Sequence, residues 1–162
     1  DIGRFTSIGP RCTFINGLHA YKSPFVTTSP LFFSLSHGRN PQMKTFAKAQ
    51  MLDEFRYYDK ERELVNKIGN DCWIGLEVTL IGGVEIADGA VVLAHAVVTK
   101  NVPPYAMVCG VPARVVGYRY DKETIDFLLH VKWWNNTPEW FEKNWKLLTD
   151  IDKLKEYYGK EH

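Results

Sequence analysis

Apolar residues recur at every sixth position along the second half of the chain: Ile68, Ile74, Leu80, Ile86, Val92 and Val98. Two positions before the last five of these stand Cys72, Val78, Val84, Ala90 and Ala96, all small or apolar. The chain opens on the same spacing with Ile2, Ile8 and Phe14. A helix repeats near 3.6 residues and a half-buried strand at 2, so neither sustains this period. A hexapeptide repeat predicts a parallel β-helix, in which each short strand buries one aliphatic side chain before the chain turns a corner. With three strands to a coil, Ile68 should stack on Ile86, Ile74 on Val92 and Leu80 on Val98.

The register also locates an interruption. After Phe14 the next inward position is residue 20, yet the pattern resumes only at Ile68, on the face that residue 20 would have taken. Residues 20–67 therefore read as an excursion thrown out from one corner, with Ile68 stacked on Ile2. Long excursions from a rigid scaffold usually carry function. The first half of this one holds Tyr21, Phe25, Thr27, Thr28, Ser29, Phe32 and Phe33, and its charged second half, Met43 to Val65, is expected to carry a short helix. Beyond the repeats the period becomes helical. Asp121 is the expected N-cap of a segment whose stripe is Ile125, Leu128, Leu129 and Trp133. Thr137-Pro138 should open a second helix carrying Trp140, Phe141, Trp145 and Leu148. The predicted partition is a β-helical domain over residues 1–118, including the excursion, and a C-terminal helical extension over 119–162.

Outward positions of the second repeat set are unusually apolar: Trp73, Leu76, Ile81, Val91, Leu93 and Val97. Such faces are expected to be covered by further copies of the chain, and the threefold coil makes a trimer the natural closed ring. The 162 residues suit one domain with at most a small appendage. A net charge of +1 without a basic tract argues against nucleic acid as a partner. No apolar run reaches membrane-spanning length. Cys12, Cys72 and Cys109 show no metal-ligand spacing, and the first two fall on inward positions, which suits a reducing cytoplasm. The abrupt entry into a repeat at Asp1 leads us to expect that upstream residues, including a cap for the first coil, are missing from this chain.

His19 is the leading chemical candidate, since it is the last residue before the excursion and should sit at a corner beside the aromatic segment. A neutral imidazole is the usual base for removing a hydroxyl proton. Position alone leaves two readings open, a general base or a turn histidine without a role. Glu85 falls one coil from His19 by the register and is expected to orient its ring. His95 reads as an interface histidine on an outward strand position, and His37 is left without a role.

Several segments together carry a resemblance. Asn16-Gly17-Leu18-His19, Thr28-Ser29-Pro30 with Phe32, Ile68 to Gly75, Val98 to Tyr105, Gly110 to Arg114 and Lys132-Trp133-Trp134 occur in the order seen in the hexapeptide-repeat acyltransferases. The chain resembles most the branch of xenobiotic and polysaccharide O-acetyltransferases. The resemblance spans nearly the whole chain and is weakest from Leu31 to Lys67. It implies a left-handed β-helix, a homotrimer and acetyl-CoA bound as acyl donor between neighbouring subunits, with no metal. It implies His19 as general base and the backbone N–H of Leu76 as oxyanion donor. Trp73, Ala94, Thr99, Lys100 and Arg114 match positions that line the coenzyme. Taken singly, Trp73 could be interface packing, Lys100 a solvated lysine and Arg114 a surface residue. Tyr21, Phe25 and Thr27 are the candidate acceptor contacts. The expected activity is acetyl transfer to a hydroxyl of a sugar or surface-polysaccharide precursor. The alternative acceptor is a xenobiotic of chloramphenicol or streptogramin type. A γ-carbonic-anhydrase-like metal hydratase and a non-catalytic scaffold are the remaining readings.

Overall fold

The computed structural model describes residues 1–35 and 44–159. The repeats form very short strands: β1 (Ser7–Ile8), β2 (Thr13–Ile15), β3 (Lys67–Ile68), β4 (Trp73–Ile74), β5 (Thr79–Ile81), β6 (Glu85–Ile86), β7 (Val91–Val92) and β8 (Val97–Val98). Two longer strands follow, β9 (Ala106–Cys109) and β10 (Arg114–Tyr118). Successive strands join three sheets in rotation, ordered β1-β4-β7-β9-β10, β2-β5-β8 and β3-β6. Every pairing is parallel except β9 with β10. The expected stacking holds residue for residue: Ile68 pairs with Ile86, Ile74 with Val92 and Leu80 with Val98. Ile2 bridges Ile68, so the chain does leave and re-enter the stack at one corner.

Inward residues of the second repeat set form one apolar cluster from Ile68 to Val108. Cys72 lies within it, and burial pushes its thiol up to about 11, which makes it an inert small hydrophobe. Corners are tight enough to hold Asp71, Glu77 and His95 at positive φ. Gly89 shows why one corner needs glycine: its φ is +71°, and a Cβ there would stand 2.4 Å from the ring of Tyr105.

The repeat does not end where its sequence period does. Val102, rather than residue 104, bridges Ile86, and Val108 pairs with Val92. The corner after β8 is thus two residues shorter than its predecessor, and at it the exposed Asn101 side chain accepts the Glu85 N–H through Oδ1 at 2.9 Å. A side-chain oxygen there replaces a backbone carbonyl, so the stack gains one more rung.

The tail follows its capping signals and then departs from them. Asp121 caps α1 (Lys122–Val131) through the Thr124 N–H at 2.8 Å, and Thr137 caps α2 (Pro138–Asn144) through the Trp140 N–H at 3.3 Å. Lys132 adopts φ +47° and ends α1 before Trp133, which falls in a 3₁₀ turn. The second helix likewise gives way to a 3₁₀ turn at Trp145–Thr149, and a third helix, α3 (Ile151–Gly159), follows that the stripe did not announce. Trp145 is consequently exposed, whereas Trp133 and Phe141 pack on Phe5 with ring centroids 5.1 and 5.0 Å away. Arg119 ties the tail to a corner, donating through Nη1 to Asp71 Oδ2 at 2.9 Å and to the Gly89 carbonyl at 2.8 Å. The described part of the 44–65 stretch contains no helix, only turns and isolated bridges. Its order comes instead from pairing with the start of the excursion, through a Gly17–Phe55 bridge. None of the helices is long and apolar enough to cross a membrane among the described residues.

Candidate active site

His19 stands where the chain leaves β2, on a base built by backbone pairing. The Leu18 N–H donates to the Glu54 carbonyl at 2.7 Å, and the Arg56 N–H to the Asn16 carbonyl at 2.8 Å. The imidazole is exposed, and its Nδ1 lies 3.1 Å from the Thr28 carbonyl oxygen. A carbonyl only accepts, so Nδ1 carries the hydrogen and Nε2 keeps its lone pair for a substrate proton. Phe33, fully buried, meets the imidazole edge-on at 6.4 Å and Phe25 at 5.7 Å. Next to it the buried Ser34 hydroxyl donates to the Glu54 carboxylate, which also accepts from Gln50 Nε2 at 2.8 Å. A polar latch and an aromatic floor thus fix the segment that carries the base.

The acceptor candidates divide. Tyr21 is exposed, with Lys22 Nζ 5.3 Å from its ring centre, and is free to meet a ligand. Phe25 is half-buried as part of the floor, and the Thr27 hydroxyl oxygen accepts the Ser29 N–H at 3.1 Å. Two exposed rings farther along, Phe32 and Phe46, stack at 5.4 Å.

Glu85 does not orient His19. Its carboxylate pairs with Lys67 at 2.8 Å in the β3–β6 register, and the ring is oriented by Thr28 instead. The register argument fails here because residues 16–18 have already left the stack to pair with 54–56. His95 is on a corner rather than a strand, at φ +61°, with Nδ1 3.2 Å from Glu77 Oε2. Arg11 Nε meets the other oxygen of Glu77 at 2.6 Å, making a three-residue ladder up that corner. The hydrogen bond from Arg11 is the main reason that the Glu77 carboxyl is held below its usual range. His37 and His162 lie outside the described residues. Among those described, no three His, Cys, Asp or Glu side chains converge as a metal site would require.

The coenzyme candidates fall on two different corners. Trp73 on β4, Leu76 just after it and Ala94 after β7 belong to the corner following the five-stranded sheet. Thr99 and Lys100 follow β8 and share the corner of His19, which follows β2 in the same sheet. Trp73 is half-exposed, and the Leu76 N–H meets no acceptor among the described residues. Arg114 opens β10, exposed, with Nη1 on the Ala113 carbonyl at 2.8 Å.

A group that sequence reasoning overlooked lies beside Thr99 and Lys100. Phe55, Arg56, Tyr57 and Lys60 of the excursion line a cavity of about 430 Å³ with them. The signal for it was the Gly82-Gly83 pair, since adjacent glycines mark a close backbone approach.

The chain is 36% identical over 149 residues to a chloramphenicol acetyltransferase of Agrobacterium fabrum, a match covering 91% of this chain and 65% of that protein. Its relatives include chloramphenicol acetyltransferases and a probable macrolide acetyltransferase of Lysinibacillus sphaericus. A galactoside O-acetyltransferase of Escherichia coli is 43% identical over 56 residues, covering 35% of the chain and 28% of the enzyme. A solved hexapeptide-repeat acetyltransferase of Vibrio cholerae, complexed with acetyl coenzyme A, is 27% identical with a TM-score of 0.49, over 74% of this chain and 49% of that one. No family model matches. The chain spans less than two thirds of the length of the relatives it matches first, 65% and 58% for two chloramphenicol acetyltransferases.

Proposed function

We propose that the protein is an acetyl-CoA-dependent O-acetyltransferase acting on a hydroxylated small molecule with an apolar body, of chloramphenicol type. The observation that carries this reading is the way Thr28 holds His19, which leaves Nε2 as a proton acceptor at the foot of an aromatic excursion. Similarity over 91% of the chain to a chloramphenicol acetyltransferase, against 35% to a galactoside acetyltransferase, reverses the order of acceptors expected from the sequence. A sugar hydroxyl remains the second reading, favoured by exposed rings such as Tyr21 on which a sugar's CH face can pack.

In this mechanism Nε2 takes the acceptor's hydroxyl proton as its oxygen attacks the thioester carbonyl. The tetrahedral intermediate collapses with expulsion of the coenzyme A thiolate, which then takes the proton from the imidazolium. No acyl-enzyme is formed. General-base assistance of this kind is worth about 10²–10⁴-fold. The Leu76 N–H receives the developing oxyanion, a contribution of about 3 kcal/mol. Because His19 and Leu76 sit on different corners, we place the reaction between two copies: the His19 corner of one faces the Trp73, Leu76 and Ala94 corner of its neighbour. Lys100 and Arg114 supply charge for the donor's phosphates. The fold in this reading is a closed left-handed β-helix, assembled as a homotrimer through the apolar faces around Val91 and Val97. The reaction belongs in the cytoplasm, where acetyl-CoA is made and thiols stay reduced.

Thiol release from acetyl-CoA, measured with chloramphenicol and with a panel of galactosides, tests the chemistry in wild type and His19→Ala. Turnover with chloramphenicol that disappears in the variant is expected. Undiminished turnover in His19→Ala would remove the mechanism, and a preference for galactosides would restore the sugar reading. Sedimentation of a single protomer would remove the shared site.

A further inference from the structure

Glu54 reaches the surroundings of His19 from two directions without a hydrogen bond to the ring. Its carbonyl oxygen accepts the N–H of Leu18, the residue before His19, at 2.7 Å. Its carboxylate works elsewhere: a single oxygen, Oε2, accepts the Ser34 O–H and also Gln50 Nε2 at 2.8 Å. Two neutral donors on one oxygen suit a carboxylate, whose oxygens only accept and carry the charge. Gln50 is itself fixed, with Oε1 accepting the Leu35 N–H at 2.7 Å and Nε2 donating to the Leu52 carbonyl at 2.7 Å.

Ser34 ends the stretch that supplies both walls of the imidazole. The Thr28 carbonyl, which sets the tautomer, comes two residues before the 3₁₀ turn Pro30–Phe32. That turn closes where the Ser34 N–H donates to the Pro30 carbonyl at 2.9 Å. Phe33, beside Ser34, is the ring that meets the imidazole edge-on. Both residues are 1% exposed, so neither shifts without displacing its neighbours. A hydroxyl buried to this degree needs its acceptor, and Glu54 provides it. Thr45 also holds the backbone of this stretch, its hydroxyl lying 2.9 and 2.8 Å from the Leu31 and Ser34 carbonyls. The Ser34 side chain is left to Glu54. Because the bond to Leu18 is made by main chain, substitution of Glu54 removes the carboxylate's hold and spares the backbone pairing under His19.

We propose that Glu54 is a positioning residue for the transfer: through Ser34 its carboxylate fixes Thr28 and Phe33, and with them the tautomer and aim of His19. The inference rests on His19 acting as base in the acetyltransferase reading, so it is tested by one readout without turnover and one with it. Nitrogen-15 NMR of the full chain, with the imidazoles neutral and the His19 signal assigned from His19→Ala, reports the tautomer. Wild type should show the hydrogen on Nδ1 alone, and Glu54→Ala a mixture of both tautomers. The kcat of Glu54→Ala should fall about tenfold to a hundredfold with the KM for acetyl-CoA unchanged, since misplacing a reacting group by about 1 Å is enough for such a loss. Ser34→Ala should reproduce both effects, and the double variant should add little to either. Glu54→Gln keeps an oxygen for the Ser34 hydroxyl and should lie between wild type and Glu54→Ala. Thermal melts show which variants fold; if Glu54→Ala does not, Ser34→Ala and Glu54→Gln carry the same comparison. Either readout left unchanged in these variants overturns the inference. An unchanged tautomer means that the ring is held without the carboxylate, and an unchanged kcat means that its aim does not limit the reaction. Both of those results leave the base reading intact. A wild type that turns over no acetyl-CoA removes the acetyltransferase reading, and the tautomer alone then tests the hold of Glu54 on the ring.

Discussion

Phe14 and Leu80 hold the same place in the same sheet, paired one directly on the other, and their surroundings could hardly differ more. Leu80 has a rung on each side and is fully buried, whereas Phe14 has one on a single side and remains 45% exposed. The period alone says which way a side chain points. Its contribution to stability depends on how many rungs cover it, which is a property of the stack and not of the residue. The candidate base follows the looser rung and the candidate oxyanion donor the tighter one. Stability and chemistry should therefore separate on substitution.

His19→Ala makes the widest separation. It should lower turnover by about 10²–10⁴-fold while leaving the melting temperature almost unchanged, because the ring is exposed and makes one hydrogen bond. A melting temperature that fell along with activity would show that His19 is structural and that the looser rung depends on it.

Leu80→Ala should do the reverse, costing about 2–5 kcal/mol by denaturant unfolding through the cavity it leaves. Phe14→Ala, on the same face, should cost roughly 1 kcal/mol, since about half of the ring gains nothing from burial. Equal losses at the two positions would mean that the first rung is covered in the assembled protein, by a neighbouring copy or by further chain. The pair of variants thus reads out whether the comparison survives outside the isolated protomer.

The contrast also explains what a reader of the sequence could reach. Ile2 stacking on Ile68 across the excursion followed from counting in sixes, because burial imposes the period on every strand. Val102 taking the face meant for residue 104 did not follow, because the shift depends on one Asn101 side chain replacing a carbonyl. Position and the family motifs both brought His19 forward, but the register count named the wrong orienting partner in Glu85. Thr28 acts through its backbone, which no side-chain pattern records. The cavity lined by both Arg56 and Lys100 was hidden for a related reason: it is built by long-range pairing of residues 16–18 with 54–56, and neither segment carries a period. Helix α3 went unpredicted because its apolar residues, Ile151, Leu154 and Tyr158, are few and the aromatic stripe before it suggested one longer helix. Repetition writes itself into composition at regular intervals, and single contacts between distant segments do not.

The smallest effect concerns the tail, which neither rung supports directly. The bond from the Thr124 N–H to Asp121 Oδ1 is the main reason that the Asp121 carboxyl sits below its usual range in the folded protein. Its folded pKa is lower than its unfolded one, so the cap's contribution is complete above the ordinary carboxylate range and is lost as pH falls through the folded value. Asparagine caps about as well and does not titrate. Wild type and Asp121→Asn should therefore melt alike near neutral pH and diverge below about pH 4, with the wild type losing more. Parallel curves down to acid would mean that α1 is held by its packing of Leu128 against Tyr105 and Leu154 with no help from the cap. The tail would then resemble the tighter rung, stabilised by burial from several sides, and its capping residue would matter only for where the helix begins.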